Sequence, residues 1–362
     1  MKSRVNHRWS GYAAALLMAG IMPGVACAQS AGDGSSVILY GIIDASVNFQ
    51  HYSGQGAAKS ANGTYLSSDT SLFGIKGTEN LGGGLSAYFK LENGFNINNG
   101  AQTSATAFFN RESYVGLSST TYGSLQLGSQ FAPTVWISGK TDVFARRGTG
   151  SIFTLLQNLG SNPRGFPSIY NNAVQYITPS FHGFTGRAMY AFANGGLGSS
   201  NAFSVEYNAH KLYAGAYYTR ARIAGDAAGL PVSSVSSRSY GLGASYEFSL
   251  LTLYGHLERN MIEGTSTMFG YDVGVDVPIG AADIRGSVAH RDVPGSAQSA
   301  ATLYALAYFY SLSKRTTVYT QLGYLKNGLK TNFGIWPASQ SAGSLPFGDA
   351  VYAVQIGIRH LF

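Results

Sequence analysis

Cysteine is almost absent from this sequence, since Cys27 is the only one among 362 residues. Charged residues make up 11% of the chain, against about 25% in soluble domains. No segment beyond the N-terminal region approaches the roughly 20 consecutive apolar residues of a membrane helix. The chain therefore lacks the composition of a disulfide-stabilised domain, of an ordinary soluble domain and of a helical membrane protein.

Patterns that indicate catalysis or metal binding are missing as well. The histidines are scattered, no G-x-S-x-G motif occurs, and no group of residues has metal-ligand spacing. Gly148 and Gly150 do not continue into a phosphate-binding loop. The sequence thus predicts no enzyme, no catalytic residue, no metal and no cofactor.

The first 28 residues have the form of a cleaved export signal. A basic start precedes an apolar run, and Ala26-Cys27-Ala28 is a small-x-small cleavage sequence. Cleavage after Ala28 leaves a single domain, residues 29–362, without cysteine. Three of the 24 Lys and Arg leave with the signal and no acid does, so the net charge falls from +7 to +4. That charge is too small to indicate nucleic-acid binding.

The chain is rich in tyrosine, with 24, and in glycine, with 47. Its last eleven residues alternate between an apolar face, from Tyr352 to Phe362, and a face that carries Gln355 and Arg359. A period of two places these faces on opposite sides of a β-strand. About ten residues of this kind form one strand of a transmembrane β-barrel, with an apolar outside and a polar inside.

Similar runs recur along the whole chain and predict sixteen antiparallel strands. They are residues 37–49, 68–78, 85–97, 108–118, 124–131, 171–179, 184–194, 201–209, 211–220, 238–248, 251–260, 268–277, 282–291, 301–311, 316–327 and 350–362. An even number suits a single-chain bacterial barrel with both ends on the periplasmic side.

Short and long connectors alternate between these runs. The short ones, predicted as periplasmic turns, are 80–84, 119–123, 180–183, 209–210, 249–250, 278–281 and 312–315. The long ones, predicted as extracellular loops, are 50–67, 98–107, 132–170, 195–200, 221–237, 261–267, 292–300 and 328–349. The third long connector, loop L3 (residues 132–170), is the longest, and loops of this length are usually functional. We expect it to fold into the aqueous lumen that sixteen strands leave.

Eight segments, in order along the mature chain, resemble the general diffusion porins of Gram-negative outer membranes, in particular the type found in Burkholderia, Bordetella, Comamonas and Neisseria. They are SVILYGIID (36–44), FGIKGTENLGGGL (73–85), FKLENGF (89–95), NRESYVGL (110–117), LGSQ (127–130), YITPSFHGF (176–184), YSLSKRT (310–316) and GIRHLF (357–362). The resemblance implies a homotrimer of sixteen-stranded barrels, each with a water-filled pore narrowed by the third loop. It also implies passive diffusion of small hydrophilic solutes and ions across the outer membrane.

Two positions depart from the family pattern. Leu72 and Ser129 stand where the family usually has a pore-facing arginine, so the resemblance implies a less basic pore wall than is typical. These departures also suit a substrate-selective porin, which is the main alternative function. A surface adhesin or structural barrel is a further alternative, although such barrels usually have fewer strands and a filled lumen.

Candidate pore residues follow from the alternation of the strands and from the family. The family places a pore arginine at Arg111, where the fourth predicted strand begins, and the same alternation points Ser113 inward and Tyr114 outward. Arg111 either lines the pore or is a solvated residue at the loop edge. Lys76 faces the lumen opposite Phe73 and Ile75, which avoids about 2–4 kcal/mol for a charge on the lipid face.

Other strand residues with charged or phenolic groups share the inward face. Lys90 and Glu92 alternate with Phe89 and Leu91, and either line the pore or pair with each other. Tyr40 and Asp44 lie on the inward face of the first strand.

In loop L3, Asp142 is the only acid, and an arrangement near Arg111 would set acid against base across the constriction. Arg146 and Arg147 are candidate basic residues of the constriction, and the alternative is that they anchor the loop to the wall or lie exposed at the mouth. The charges of the loop lean toward anions. For partners we expect outer-membrane lipid and lipopolysaccharide, and the barrel assembly machinery, which would recognise the terminal Phe362.

Overall fold

The computed structural model describes residues 35–53, 62–157, 167–193, 198–224, 234–336 and 346–362. The expected export signal lies outside these residues. The strands are β1 Ser36–Tyr52, β2 Gly63–Ser67, β3 Ser71–Gly82, β4 Leu85–Phe95, β5 Glu112–Ser119, β6 Gly123–Phe131, β7 Ile169–Ile177, β8 Phe184–Ala191, β9 Ser200–Ala209, β10 Leu212–Ala224, β11 Ser234–Glu247, β12 Thr252–Ile262, β13 Met268–Ile279, β14 Ala282–Asp292, β15 Ala301–Ser311, β16 Thr316–Asn327 and β17 Ala350–Leu361. Loop L3 contains helix α1, Pro133–Thr141, and a 3-10 turn, Ile152–Thr154. Within the described ranges no helix combines the length and hydrophobicity needed to span a membrane.

The sheet closes on itself through its first and last strands. From β3 onward each strand pairs antiparallel with its successor, and β17 pairs with β1 from Ile42 opposite Leu361 to Tyr52 opposite Val351. Gly41 and Phe362 then exchange two backbone hydrogen bonds of 3.1 Å. The Phe362 ring covers Gly41 so closely that a Cβ there would lie 2.4 Å from it. Closure satisfies the backbone groups that an open edge would expose to lipid.

Seventeen segments occupy sixteen positions around the barrel, because β2 and β3 share one. β2 pairs with the half of β1 at Ser46–Gln50, and β3 pairs with the half at Ser36–Ile42. Between them, the Ser71 hydroxyl donates to the Asp44 carbonyl and accepts from the Asp44 N–H, both at 3.0 Å. The prediction of a sixteen-stranded antiparallel barrel is confirmed, but the stretch predicted as the loop 50–67 contains the end of β1 and all of β2.

The two faces of the strands differ as the alternation predicts. In β1, Val37 and Leu39 are 53% and 60% exposed, while Asp44 and Asn48 on the other face are buried. In β17, Tyr352 and Ile356 are exposed, whereas Gln355 is buried. An exposed apolar exterior around a buried polar interior is the arrangement of a barrel in lipid.

One expected orientation is wrong. The β5 residues Val115 and Leu117 are exposed on the apolar exterior, which puts Ser113 on the outer face and Tyr114 on the inner one. Tyr114 stands opposite Lys90 in the register and packs edge-on against Tyr88. The cause is that β5 begins at Glu112, so Arg111 precedes the strand and its direction does not follow the strand's alternation.

Loop L3 packs against the buried face of strands β10 to β16. Glycines on that face make room for its side chains. A Cβ at Gly270 of β13 would lie 2.0 Å from Leu156, and one at Gly274 would lie 2.6 Å from Val143. Leu156 and Ile152 belong to an apolar cluster with Leu303 and Leu325 of the barrel. The glycine content of the chain thus serves, at these positions, the close approach of loop and strand.

Candidate functional site

Asp142 organises the turn that follows α1 in loop L3. Its carboxylate accepts the backbone N–H groups of Phe144 and Arg146, each at 2.8 Å, and of Ile152 at 3.0 Å. Arg146 itself has a positive φ of 63°. Burial raises the pKa of Asp142, and the three N–H groups partly offset this effect. Asp142 therefore holds the shape of L3 through backbone contacts, and it is buried rather than presented to solvent.

Arg146 is bound within the same loop. Its guanidinium donates to Ser138 at 2.8 Å, to Gln157 and to Ser168 at 3.2 Å, and it lies over the Phe153 ring at 5.5 Å. Burial lowers the pKa of Arg146. Of the two interpretations left open by the sequence, these contacts match the anchoring one.

Side chains of the barrel interior hold L3 at several places. Three residues of β12 take part: His256 Nδ1 is 2.8 Å from Thr141 Oγ1, Glu258 accepts from Gln157 at 3.4 Å, and Asn260 donates to the Leu156 carbonyl at 2.7 Å. Two arginines of β14 donate to L3 carbonyls, Arg285 to Val143 at 3.4 Å and Arg291 to Leu155 at 2.9 Å. The stretch of L3 from Thr141 to Gln157 is thus fixed to the wall at several points.

The break between β2 and β3 joins L3 to the last long connector. Asp69, which lies in this break, accepts the Gly148 N–H of L3 at 2.9 Å and the Trp336 indole N–H at 3.2 Å. Arg147 of L3 is buried nearby, and its pKa is lowered to about 9 by burial and by the charge of Arg359. At neutral pH Arg147 therefore remains charged.

Asp44 and Arg359 form an ion pair across the closing seam of the barrel. Arg359 Nε donates to Asp44 Oδ2 at 2.6 Å, and the Tyr319 hydroxyl donates to Asp44 Oδ1 at 2.6 Å. Arg359 also reaches Asp69 at 3.5 Å. Asp44 thus points inward, as predicted, and its carboxylate is paired with Arg359.

Four of the predicted pore residues come together on the inner faces of β1 and β4 and just before β5: Tyr40, Lys90, Glu92 and Arg111. Lys90 Nζ lies 3.3 Å from Glu92 and 2.5 Å from Glu112. Arg111 Nε lies 2.5 Å from the other oxygen of Glu92, and the Tyr40 hydroxyl donates to Glu92 at 2.8 Å. Lys76 completes the group, with its ammonium 5.3 Å from the centre of the Tyr40 ring. We call Lys76, Lys90 and Arg111 the basic wall.

A second group includes two residues that the sequence did not single out, Arg187 and Glu206. Glu206 of β9 accepts from Lys140 of α1 at 2.9 Å, from Arg187 of β8 at 3.0 Å and from Tyr213 of β10 at 2.9 Å. The sequence did contain a signal for the inward direction of Glu206, because it alternates with Phe203 and Val205, which are exposed on the outer face. Glu112 and Asp69 were missed as well. Glu112 alternates with exposed Val115 and Leu117 in β5, so the same signal was present for it, whereas Asp69 lies in the break between β2 and β3.

Exposure differs between the partners of several ion pairs in the barrel interior. Side-chain exposure is 21% for both Lys90 and Arg111 but 5% for Glu92, and it is 26% for Lys140 but 5% for Glu206. Arg359 is 16% exposed, and its partner Asp44 is fully buried. Arg285 with Asp283 is a pair of the opposite kind, at 11% and 23%. In the pairs of Lys90, Arg111, Lys140 and Arg359 the cation is the group nearer to solvent.

Leu72 and Ser129, the two positions that depart from the family pattern, carry uncharged side chains. Leu72 is buried, and Ser129 donates to the Asn171 side chain at 2.6 Å. Among the described residues, no group of three or more His, Cys, Asp or Glu is placed to hold a metal ion.

Residues 13–329 match the sequence family described as Gram-negative porin. This chain belongs to that family. The outer membrane porin protein 32 of Delftia acidovorans is 31% identical over 350 residues, which cover 94% of this chain and 96% of the relative. An outer membrane porin protein of Bordetella pertussis is 27% identical, with 96% and 99% of the two chains covered. The structure of an anion-selective porin from Comamonas acidovorans superposes with a TM-score of 0.76 at 29% identity, over 91% of this chain and all of the other.

The porin is therefore an outer-membrane protein whose barrel encloses a water-filled channel for the passive diffusion of small hydrophilic solutes and ions. The resemblance inferred from its sequence motifs is confirmed. Family and fold are those of a channel rather than of an enzyme.

Proposed function

We propose that this porin prefers small hydrophilic anions, and that the basic wall and loop L3 form its constriction. The observation that supports the preference is the unequal exposure within the ion pairs. Lys90, Arg111 and Lys140 are nearer to solvent than the carboxylates that they bind. A passing solute then meets guanidinium and ammonium groups, while most of the negative charge lies behind them.

The constriction set comprises Tyr40, Asp44, Lys76, Lys90, Glu92, Arg111, Asp142, Arg146 and Arg147. Within it we assign different roles. Lys76, Lys90 and Arg111 act on the solute. Asp44 and Glu92 hold basic residues in place, Tyr40 donates to Glu92, and Asp142, Arg146 and Arg147 position L3. The similar porin from Comamonas acidovorans is anion-selective, which agrees with this preference.

The proposal is tested by the reversal potential of the purified porin in planar bilayers across a KCl gradient. We expect the sign that corresponds to chloride preference, with discrete single-channel steps. A reversal potential with the potassium sign would overturn the anion preference.

Two single substitutions test which residues cause the anion preference. Lys76→Gln and Arg111→Gln should each lower the chloride-to-potassium permeability ratio by about twofold, because each removes one charge that acts at close range. Lys314→Gln, in an exposed periplasmic turn, removes the same charge and should leave the ratio unchanged. Equal effects of all three substitutions would show that net charge, and not the basic wall, sets the selectivity.

We further propose that the porin is a homotrimer, that it contacts lipid and lipopolysaccharide in the membrane, and that the barrel assembly machinery recognises Phe362. Family membership supports the trimer. Chemical cross-linking of the detergent-solubilised protein should yield a ladder that ends at three copies, and a ladder that ends at one copy would contradict it.

A further inference from the structure

Four arginines lie on the outer face of the barrel at one end of three neighbouring strands. They are Arg220 and Arg222 of β10, Arg238 of β11 and Arg259 of β12, and we call them the arginine belt. Residues next to them in the sequence are buried in the interior: Thr219, Ala221, Ser239 and Glu258. Because neighbouring residues of a strand point to opposite faces, the arginines point outward. Arg220, Arg238 and Arg259 are exposed.

The belt lies at the extracellular end of the barrel. The connector before β10 is a two-residue turn, whereas a long connector separates β10 from β11. In outer-membrane barrels the short turns are periplasmic and the long loops extracellular. The arginines are therefore at the level of the outer leaflet, and below them the same face presents Tyr240, Leu242 and Leu257, all exposed.

The register brings like charges together. Arg220 is directly opposite Arg238, and Arg259 is diagonal to Arg238 because it pairs with Tyr240. Neighbouring strands are about 4.8 Å apart, so three guanidinium groups fall within roughly 10 Å of sheet. Like charges in directly opposed positions destabilise a sheet unless an anion lies between them.

The described part of the chain offers the belt little compensation. Arg222 donates to Ser234 Oγ at 2.7 Å and lies 3.9 Å from Glu263, and Arg220 donates to Ser236 at 3.4 Å. Among the described residues, Arg238 and Arg259 have no hydrogen-bond or ion-pair partner. Within the described ranges, one carboxylate thus accompanies four guanidinium groups.

We propose that the arginine belt binds the phosphate groups of lipopolysaccharide in the outer leaflet. Guanidinium groups bind phosphate oxygens in bidentate fashion, and a cluster of them suits a headgroup with more than one phosphate. The apolar surface below the belt suits the acyl chains of the same molecule. A free phosphate ion would gain nothing from that apolar surface. This inference rests on the proposed contact with lipopolysaccharide and names its site.

The belt is also a poor contact for a second copy of the chain. Two belts placed against each other would bring like charges into a region of low dielectric, where their repulsion is strong. Lipid is therefore the occupant that the charge of this face favours, and an altered oligomer is an outcome that the experiment must detect.

The test compares a triple variant, Arg220→Gln with Arg238→Gln and Arg259→Gln, with a charge-matched control, Lys211→Gln with Lys314→Gln and Lys330→Gln. The control lysines are exposed and lie outside the belt. Folding of each protein is checked by β-sheet circular dichroism and by its oligomer on mild gels. Binding of intact and of enzymatically dephosphorylated lipopolysaccharide is then titrated by native mass spectrometry in detergent.

We expect the triple variant to bind intact lipopolysaccharide about tenfold more weakly or worse, since at least one charge-assisted contact is lost. Dephosphorylated lipopolysaccharide should bind the wild type with a similar loss, and the control should match the wild type. Millimolar inorganic phosphate should not displace the lipid.

Three results would overturn the proposal. The first is equal lipid binding by the triple variant and the control, and the second is equal binding of intact and dephosphorylated lipid by the wild type. The third is a change of oligomer in the triple variant without a change in lipid binding, which would make the belt an interface between copies. The conductance of the wild type is measured separately from lipid binding. The proposed anion preference and the proposed lipid site can therefore each fail without affecting the test of the other.

Discussion

At the scale of single residues, alternation was a reliable guide within strands and carried no information within L3. Lys76, Lys90, Glu92, Tyr40 and Asp44 lie on the inner face because a period of two fixes the direction of each side chain. L3 has no period, so the expectation that Asp142 lies near Arg111 rested on charge alone, whereas its oxygens accept backbone N–H groups of its own loop. The contacts of such a residue depend on the path of the backbone around it.

Asp142→Ala should loosen L3, because it leaves three backbone N–H groups without their acceptor. Each buried unpaired group costs about 1–3 kcal/mol, so the loss exceeds that of an ordinary surface substitution. We expect noisier open-channel current in planar bilayers and earlier thermal unfolding. Glu79→Gln, which removes an exposed carboxylate at the end of β3, serves as control. Quiet, wild-type current from the alanine variant would contradict this role.

Asp272→Asn should stabilise the porin. Asp272 of β13 is fully buried, and neither carboxylate oxygen has a hydrogen-bond partner among the described residues. An unpaired buried carboxylate is costly, and the amide has the same shape without the charge. A gain of about 1 kcal/mol should appear as a higher thermal midpoint, while a lower midpoint would mean that the carboxylate has a partner that it needs.

At the scale of elements, the strands were predictable and one interruption was not. The number of barrel positions follows from the runs of alternation, and their even count suits a barrel with both ends on the periplasmic side. The division of one position into β2 and β3 was missed, although the polar run from Ser67 to Ser71 is a turn-like signal. A turn signal inside a strand region is hard to distinguish from the end of a loop. The stretch before this signal, β2, was therefore counted as part of the loop, although β2 and β3 both pair with β1.

The packing of L3 against β13 can be tested by adding a single methyl group to the strand. Gly270→Ala would place a Cβ 2.0 Å from Leu156, so overpacking should cost about 1–3 kcal/mol and shift the loop. Leu156→Ala in the same molecule should recover part of that loss, since it removes the clashing atoms. Gly255→Ala on β12 is the matched control, because its Cβ would meet nothing within 4 Å. Additive effects of the two alanine substitutions would show that Gly270 and Leu156 do not touch.

At the scale of the whole molecule, the barrel depends on the meeting of its two ends. Phe362 contributes a backbone pair with Gly41 and a ring that covers it. Deletion of Phe362 should impair both closure and membrane assembly, because it leaves the Gly41 N–H and C=O unpaired.

Phe362→Ala separates the two roles of this residue. It keeps the backbone pair and removes the ring, so we expect refolding in detergent close to that of the wild type but much less porin in the outer membrane of cells. Phe362→Tyr retains an aromatic ring and should restore the cellular amount. Equal cellular amounts of the alanine variant and the wild type would contradict recognition of the terminal ring.

The separation of inner and outer faces also has a consequence for the evolution of this porin. Successive residues of a strand are subject to different selection, since one set meets lipid and the other meets solutes or L3. A substitution in the inner set can alter permeability and leave insertion into the membrane unaffected. A lineage can therefore adapt to a new nutrient or exclude a new toxin by changing alternate residues, without passing through forms that fail to assemble.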